Sequence, residues 1–340
     1  MSQVILRGLV TDRINLLFAP SFEAVENLNT ALEARGVNLK SDGRPIFKIT
    51  CEDLVKLCKE VDPRIEIIPA HAWTPHFGVF GSLSGFDSLE EAFGSQAKYI
   101  FAFETGLSSD PKMNWQVSSM DNYALISNSD AHSLRKLGRE ANVFDIPEND
   151  LSYDAVITVL KNRNPKEFLY TIEFFPEEGK YHLDGHADCK FSCLPKETRR
   201  LGGICPKCGK KLLRGVTNRV EMLGDRDYGF TPKSAIPYKN IIPLEEVIAA
   251  SLGVGTSSKK VALEYERMVA QFSEYEILLD LPKEEIARIS SEIISESVDR
   301  VRRHEVIIEP GYDGVFGKIT FYDEKEPGRL LVRPKQIGLF

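Results

Sequence analysis

The chain has 340 residues, 42% hydrophobic and 27% charged, with a formal net charge of −7. That length buries a substantial core, divided among two or three domains, and the acidic balance excludes indiscriminate attraction to phosphate. No apolar stretch approaches the ~18 residues of a membrane span, and Met1 to Val10 lacks the apolar core and cleavage site of a signal peptide. A cytoplasmic setting is therefore expected, in which six cysteines suit metal or free thiols before disulfides.

Taken in order, Ile14 to Phe18 reads as a strand, and Ser21 to Ala34 as an amphipathic helix capped by Ser21. A second helix opens at Thr50-Cys51-Glu52-Asp53 and runs through Leu57, with Asp53 in the capping-box position. Cys51 and Cys58, seven apart on that helix, share a face and are assigned to the core. The strand that follows ends at His71; a short helix over Ser88 to Phe93 precedes a strand ending at Glu104; the strand Tyr123 to Ser127 precedes Asp130-Ala131-His132. A helix over Leu151 to Leu160 and a strand over Phe168 to Phe174 complete an alternation that predicts a mostly parallel sheet or barrel to about residue 175.

Three apolar runs thus end in metal-capable side chains, and open α/β folds place their sites at such strand ends. If the last strand continues through them, Asp130 and His132, two apart, point to one side and share an ion, with oxygen and nitrogen donors suited to Zn²⁺, Mn²⁺ or Fe²⁺. His76, five residues after His71, is a weaker candidate, since a loop histidine is often only solvated.

Pro176-Glu177-Glu178-Gly179 breaks the pattern. His182, His186, Cys189, Cys193, Cys205 and Cys208 then fall within one short stretch. Cys205-Pro206-Lys207-Cys208-Gly209 has the form of a zinc knuckle, two thiolates separated by two residues with a glycine that lets backbone N–H groups turn toward sulfur. Cys189 supplies a third ligand, and His186 or Cys193 the fourth. A closed set of four ligands is structural, with no open position for water. From His186 to Arg219 there are nine basic residues, Arg199, Arg200, Lys210 and Lys211 among them, against two acidic ones, the footprint of a nucleic-acid contact. Helices are predicted over Leu244 to Leu252 and Ser257 to Phe272, separated by Gly253-Val254-Gly255 and followed at once by Lys259 and Lys260. Glycines in such a hairpin let backbone amides approach a DNA phosphate. Another helix is predicted over Glu284 to Arg303, then a glycine-punctuated turn, Glu309 to Gly317, and a strand over Lys318 to Tyr322.

The phrases PAHAWTPHFGVFGSLSGFDS, ETGLSSDPKMNW, SNSDAHSLRKLGREANVF, FFPEEGKYHLDGH, GGICPKCGK, LGVG and IEPGYDGVFG, in this order from about Asn15 to Phe321, closely resemble the endonuclease Q family. The resemblance implies an α/β polymerase-and-histidinol-phosphatase (PHP) domain, a partial distorted (β/α)7 barrel, followed by a small zinc-binding domain and a helical C-terminal domain, here expected at residues 1–175, 176–235 and 236–340. It implies a DNA repair nuclease that hydrolyses the phosphodiester 5′ to a deaminated base (uracil, hypoxanthine, xanthine) or an abasic site. A divalent ion, Mg²⁺, Mn²⁺ or Zn²⁺, serves the PHP site and a structural Zn²⁺ the second domain. On matching positions His71, Asp130 and His132 are ligands in the PHP site, Glu104 occupies an acidic slot beside them, and Cys189, Cys205 and Cys208 fall on the zinc site. Asp130 and His132 would carry catalysis. One departure stands out: PHP domains begin with a His-x-His strand followed by further ligands on the next strands, and here the first histidine is His71. The expectation is an N-terminally truncated domain whose ligands hold one ion with open coordination. The alternative to a nuclease is then a catalytically inactive PHP-family protein that binds DNA without cutting it.

Overall fold

The computed structural model describes residues 2–7, 12–40, 46–83 and 85–322. Met1 and residues 8–10, covered by the leader reading, and 323–340, covered by the helical-domain assignment, lie outside them. The chain divides into two compact units: Met1–Tyr238 with Pro310–Phe316, and Lys239–Glu309 with Gly317–Phe340. Residues 176–235, expected as a separate domain, pack within the first unit, and the turn at 310–316 belongs to it as well.

The first unit begins with a hairpin, β1 (Ser2–Arg7) antiparallel to β2 (Asp12–Phe18) in the register Ile5 to Ile14. The helix α1 (Phe22–Glu33) starts where Ser21 Oγ accepts from Ala24 N–H at 3.2 Å. Beyond it β3 (Ile46–Phe47) pairs parallel with β1. In α2 (Cys51–Val61) Thr50 Oγ1 accepts from Asp53 N–H and donates to the Asp53 carboxylate, both near 3 Å. Then β4 (Glu66–Pro69) pairs antiparallel with β2, giving the sheet order β3-β1-β2-β4. The mostly parallel expectation fails here, because β2 runs antiparallel to both of its neighbours, β4 and the unassigned β1. Parallel pairing returns in β5 (Ala102–Glu104) with β6 (Ala124–Ile126), whereas β7 (Ala141–Phe144) and β8 (Phe168–Glu173) are antiparallel.

Both faces of these strands are covered. Leu17, Ile67 and Phe103 pack against α2 and the short helix α3 (Leu89–Phe93), in a core with Leu54, Cys58, Trp73, Phe80 and Phe93. Their neighbours Leu16, Ile68 and Ala102 face the other way and pack with Val159 and Leu160 of the next long helix, Tyr153–Asn162, and with Phe168. Burial on both sides explains why these strands read as continuous apolar runs. Cys51 and Cys58 are core residues, and burial pushes their thiols up to about 11 and about 12.

In the second unit, helix Leu244–Leu252 ends at Gly253, left-handed at φ 65°, and Lys259–Val269 follows. The single helix expected over Glu284 to Arg303 is two helices, Lys283–Ile289 and Glu292–Arg302. The chain breaks at Ser290 and Ser291, where small polar side chains favour caps over helix interiors. Arg302 donates to the carbonyls of Ile277, Leu278 and Leu281 at 2.7–2.9 Å, so its cation serves the preceding turn rather than its own helix end. No helix among the described residues is long and apolar enough to cross a membrane.

Candidate metal centres

Three chain segments leave the first unit's strands side by side. Ala72 N–H donates to the Glu104 carbonyl and Thr105 N–H to the Ile126 carbonyl, each at 2.9 Å, which places His71, Glu104 and the Asn128–His132 segment at one end of β4, β5 and β6. His71 and Asp130 sit at φ 30° and 43°, a left-handed region that side-chain-bearing residues seldom occupy and that recurs at functional sites. Gly106 makes the first possible: at φ 68°, a Cβ there would lie 2.6 Å from the His71 Cβ.

Glu104 turns inward and is 2% exposed. One of its oxygens accepts from His71 N–H at 2.7 Å and the other from Asn128 Nδ2 at 2.8 Å. Burial pushes its carboxyl up to about 7, partly offset by these donors and helped by the nearby Asp130 charge. Thr74 Oγ1 lies 2.9 Å from His71 Nδ1 and 2.9 Å from the His76 carbonyl. One proton satisfies both if the hydroxyl donates to the carbonyl and accepts from Nδ1–H, which leaves Nε2 with its lone pair for a metal. Arg139 holds the following loop, Nε donating to the Ser129 carbonyl at 2.8 Å and Nη2 to that of Asp130 at 3.4 Å.

One expectation about this end of the sheet is corrected. The strand stops at Ile126, and Asp130 is left-handed, so alternation along a strand does not align Asp130 with His132; a turn brings Asp130 Oδ1 and His132 Nε2 to 3.6 Å instead. Among the described residues the metal-capable group with three or more donor atoms within 4.8 Å of one another is His186, Cys189, Cys205 and Cys208. His76 is exposed and faces Tyr181, edge-on at 6.1 Å.

More carboxylates lie behind Glu104. Glu173 accepts from Thr105 Oγ1 at 3.0 Å and Thr171 Oγ1 at 2.5 Å, while Glu140 accepts from Phe174 N–H at 3.3 Å and leaves its other oxygen buried without a partner. Burial first, then mutual repulsion, raises Glu140 well above the carboxylate range; burial also raises Glu173. Sequence reasoning missed them because Glu140, just before β7, and Glu173, the last residue of β8, carry no spacing signal.

The second group is compact. β9 (Asp184–His186) pairs antiparallel with β10 (Phe191–Cys193), and the turn between them carries Cys189. In the knuckle, Cys205 N–H donates to the Lys210 carbonyl at 2.8 Å and Gly209, at φ 73°, donates to the Cys205 carbonyl at 2.9 Å. Lys207 Nζ bonds the Cys189 carbonyl at 2.9 Å, tying the two ligand turns together. The residues fit a metal: three thiols crowd one another, and His186 Nδ1 is buried with no hydrogen-bond partner. Hydrogen bonding to Cys208, then desolvation, pushes the Cys189 thiol up to about 11; burial opposes ionisation of Cys205, yet N–H groups of Lys207 and Cys208 and the adjacent thiols bring it below its ordinary value. Cys193 stands apart, its sulfur 3.3 Å from Thr198 Oγ1. His182 is a core histidine, pushed down to about 4 by burial.

Among the residues expected to meet DNA, Arg199 pairs with Glu221 at 2.6 Å and Arg200 with Glu197 at 2.5 Å, whereas Lys210 and Lys211 are exposed. The Gly253 N–H is engaged by the helix it ends, donating to the Ala250 carbonyl at 3.3 Å, so it does not point outward as an open phosphate donor. Gly255, Lys259 and Lys260 are exposed.

The architecture and the Cys/His group define a mixed α/β protein with a built metal-binding site. Residues 243–305 match the family pattern of the MJ0043 C-terminal domain. The chain is 29% identical over 258 residues to the uncharacterized protein MJ0043 of Methanocaldococcus jannaschii, covering 75% of this chain but 32% of that one, so it spans about a third of this relative's length. It is 29% identical over 307 residues to the uncharacterized protein YqxK of Bacillus subtilis, covering 89% of this chain and 73% of that one. Its structure is similar to that of the lesion-specific endonuclease PfuEndoQ of Pyrococcus furiosus (TM-score 0.82, 30% identity, 98% of this chain and 81% of that one). It is also similar to endonuclease Q in complex with a 27-mer duplex carrying an abasic lesion at the active site (TM-score 0.83, 32% identity, 95% and 79%). The chain belongs to the endonuclease Q family.

Proposed function

We propose that this protein is a DNA repair endonuclease that hydrolyses the phosphodiester 5′ to an abasic site or a deaminated base. The carrying observation is the likeness, over 95% of the chain, to a structure with a lesion duplex at its active site. In this reading His71, Asp130 and His132 hold a divalent ion, with Glu104 behind them orienting His71 through its N–H. A bound Mg²⁺ or Mn²⁺ would supply charge stabilisation at phosphorus and an activated water. The chain's own part is to fix the donors: Thr74 sets the His71 tautomer, Arg139 fixes the Asp130 carbonyl, and Asn128 holds Glu104. His186, Cys189, Cys205 and Cys208 hold a structural zinc. Lys210, Lys211, Lys259 and Lys260 contact phosphates; the last two stand in the first turn of a helix, where a cation is electrostatically unfavourable unless an anion accompanies it.

A second reading, lesion binding without cleavage, is favoured by the absence of any histidine before His71, where the resembled PHP domains carry a His-x-His strand. Incubation with a duplex bearing one abasic site or one uracil, with Mg²⁺ or Mn²⁺, separates the two. Nicking that Asp130→Ala abolishes supports the nuclease; a gel shift with intact DNA under every metal supports binding alone.

A further inference from the structure

The turn that carries His71 continues into an aromatic surface that the metal groups leave unused. His76 and Phe77 lie on this turn, Tyr181 precedes β9, and Phe316 comes from the 310–316 loop. The His76 ring is 6.2 Å from Phe77 and 6.1 Å from Tyr181. Lys180 Nζ lies 5.3 Å from the Tyr181 ring and 5.8 Å from the Phe316 ring.

Two of these rings are held in water, Phe316 at 70% exposure and Phe77 at 39%, while Tyr181 is half-buried with one side against the core. Phe77 occupies φ 65°, unfavourable for a bulky side chain, with its carbonyl accepting from Ile14 N–H at 3.1 Å. A Cβ on the adjacent Gly78 would sit 2.6 Å and 2.7 Å from the Thr74 and Ala72 carbonyls, so the turn closes only with glycine there. The opposite loop is fixed by Gly314 N–H to the Lys180 carbonyl at 2.8 Å and Ala187 N–H to Asp313 Oδ2 at 2.6 Å. Backbone strain and loop hydrogen bonds are thus spent on keeping rings exposed, which core packing does not require.

We propose that Phe77, Tyr181 and Phe316, with Lys180 among them, form a stacking platform for unpaired nucleobases next to the His71 turn. Aromatic faces accept any base and the ammonium balances a phosphate, a combination suited to a splayed strand rather than to sequence readout. The proposal takes nucleic acid as the ligand from the nuclease reading.

Wild type and Phe316 variants are compared for binding an unmodified single-stranded oligonucleotide and for quenching of aminopurine placed in it. Phe316→Ala and Phe316→Leu are expected to weaken binding about tenfold and to lose the quench, while Phe316→Trp retains both; its exposure leaves the fold intact, checked by unchanged melting. Wild type that binds and quenches yet never nicks a lesion duplex removes the nuclease reading and leaves the platform standing. Nicking by wild type together with full binding and quenching by Phe316→Ala overturns the platform. So does a wild-type dimer in sedimentation that Phe316→Ala dissolves without altering nucleic-acid binding, since the occupant is then a second copy of this chain.

Discussion

The Cys/His group and the strand-end group gather metal-capable side chains by different means. The first is assembled within about 25 residues by two short turns, and its donors already lie within 4.8 Å of one another. The second draws on segments between His71 and His132, which the pairing of β4, β5 and β6 brings to one end of the sheet. A closed set has nothing further to bind and serves stability; an open set leaves room for water and a phosphate oxygen. The acid half also holds carboxylates that burial raises above their usual range.

The largest effect that would sharpen this contrast is Asp130→Ala, expected to lower nicking by ~10²-fold or more while leaving the melting temperature within a few degrees. Cys205→Ser should do the reverse. Metal analysis should show one tightly held ion fewer, and proteolysis should open residues 186–212, whereas Cys193→Ser keeps the ion; equal ion loss in both would break the four-ligand assignment. Gly106→Ala, with its new methyl forced against the His71 Cβ, should cost about 1–3 kcal/mol in urea unfolding and lower nicking together.

A smaller effect concerns pH. Burial pushes Asp110 up to about 6, while its side chain caps the helix Pro111–Asn114 by accepting from Met113 N–H at 2.8 Å. The folded state then binds this proton more tightly than the unfolded chain, so stability falls as pH rises from about 4 to 6 and levels off above. Asp110→Asn keeps the cap and removes the ionisation, and should be about 2–3 kcal/mol more stable above that window with no difference below it. The smallest change is Lys259→Ala, expected to weaken DNA binding a few-fold and to reduce the salt slope by about one.

Local patterns were legible in the sequence. The Ser21 and Thr50 caps, the knuckle and the boundaries of Leu244–Leu252 follow from short-range chemistry and appear as read. The order and direction of strands were not legible, because β1 carries no turn signal that marks it as a strand and no local pattern fixes the antiparallel pairing of β2 with β4. Convergence of His71, Glu104 and Asp130 at one end of the sheet was anticipated from three apolar runs that end in metal-capable residues, whereas the alternation read for Asp130 and His132 fails at the left-handed Asp130. Asn128 and Gly106 were invisible, since each matters through a residue distant in sequence, Glu104 and His71, and Thr74 and Arg139 because a local polar contact leaves no pattern in the sequence. His186 lies three residues from Cys189, mirroring the knuckle, and Cys193 four, so spacing leaned to His186 without settling it; the hairpin of β9 and β10 turns His186 toward the thiols and Cys193 toward Thr198.

The left-handed backbone at Asp130 has an evolutionary consequence. Asparagine, like aspartate, tolerates that conformation, and every aspartate codon becomes an asparagine codon by one transition. A lineage can therefore lose the charge at this position in a single step without disturbing the loop, so silenced paralogues that still fold and still grip their ligand are accessible neighbours of the active form. Asp130→Asn, with intact melting and DNA binding but no cleavage, would reproduce such a descendant; a collapse of the fold in that variant would close the route.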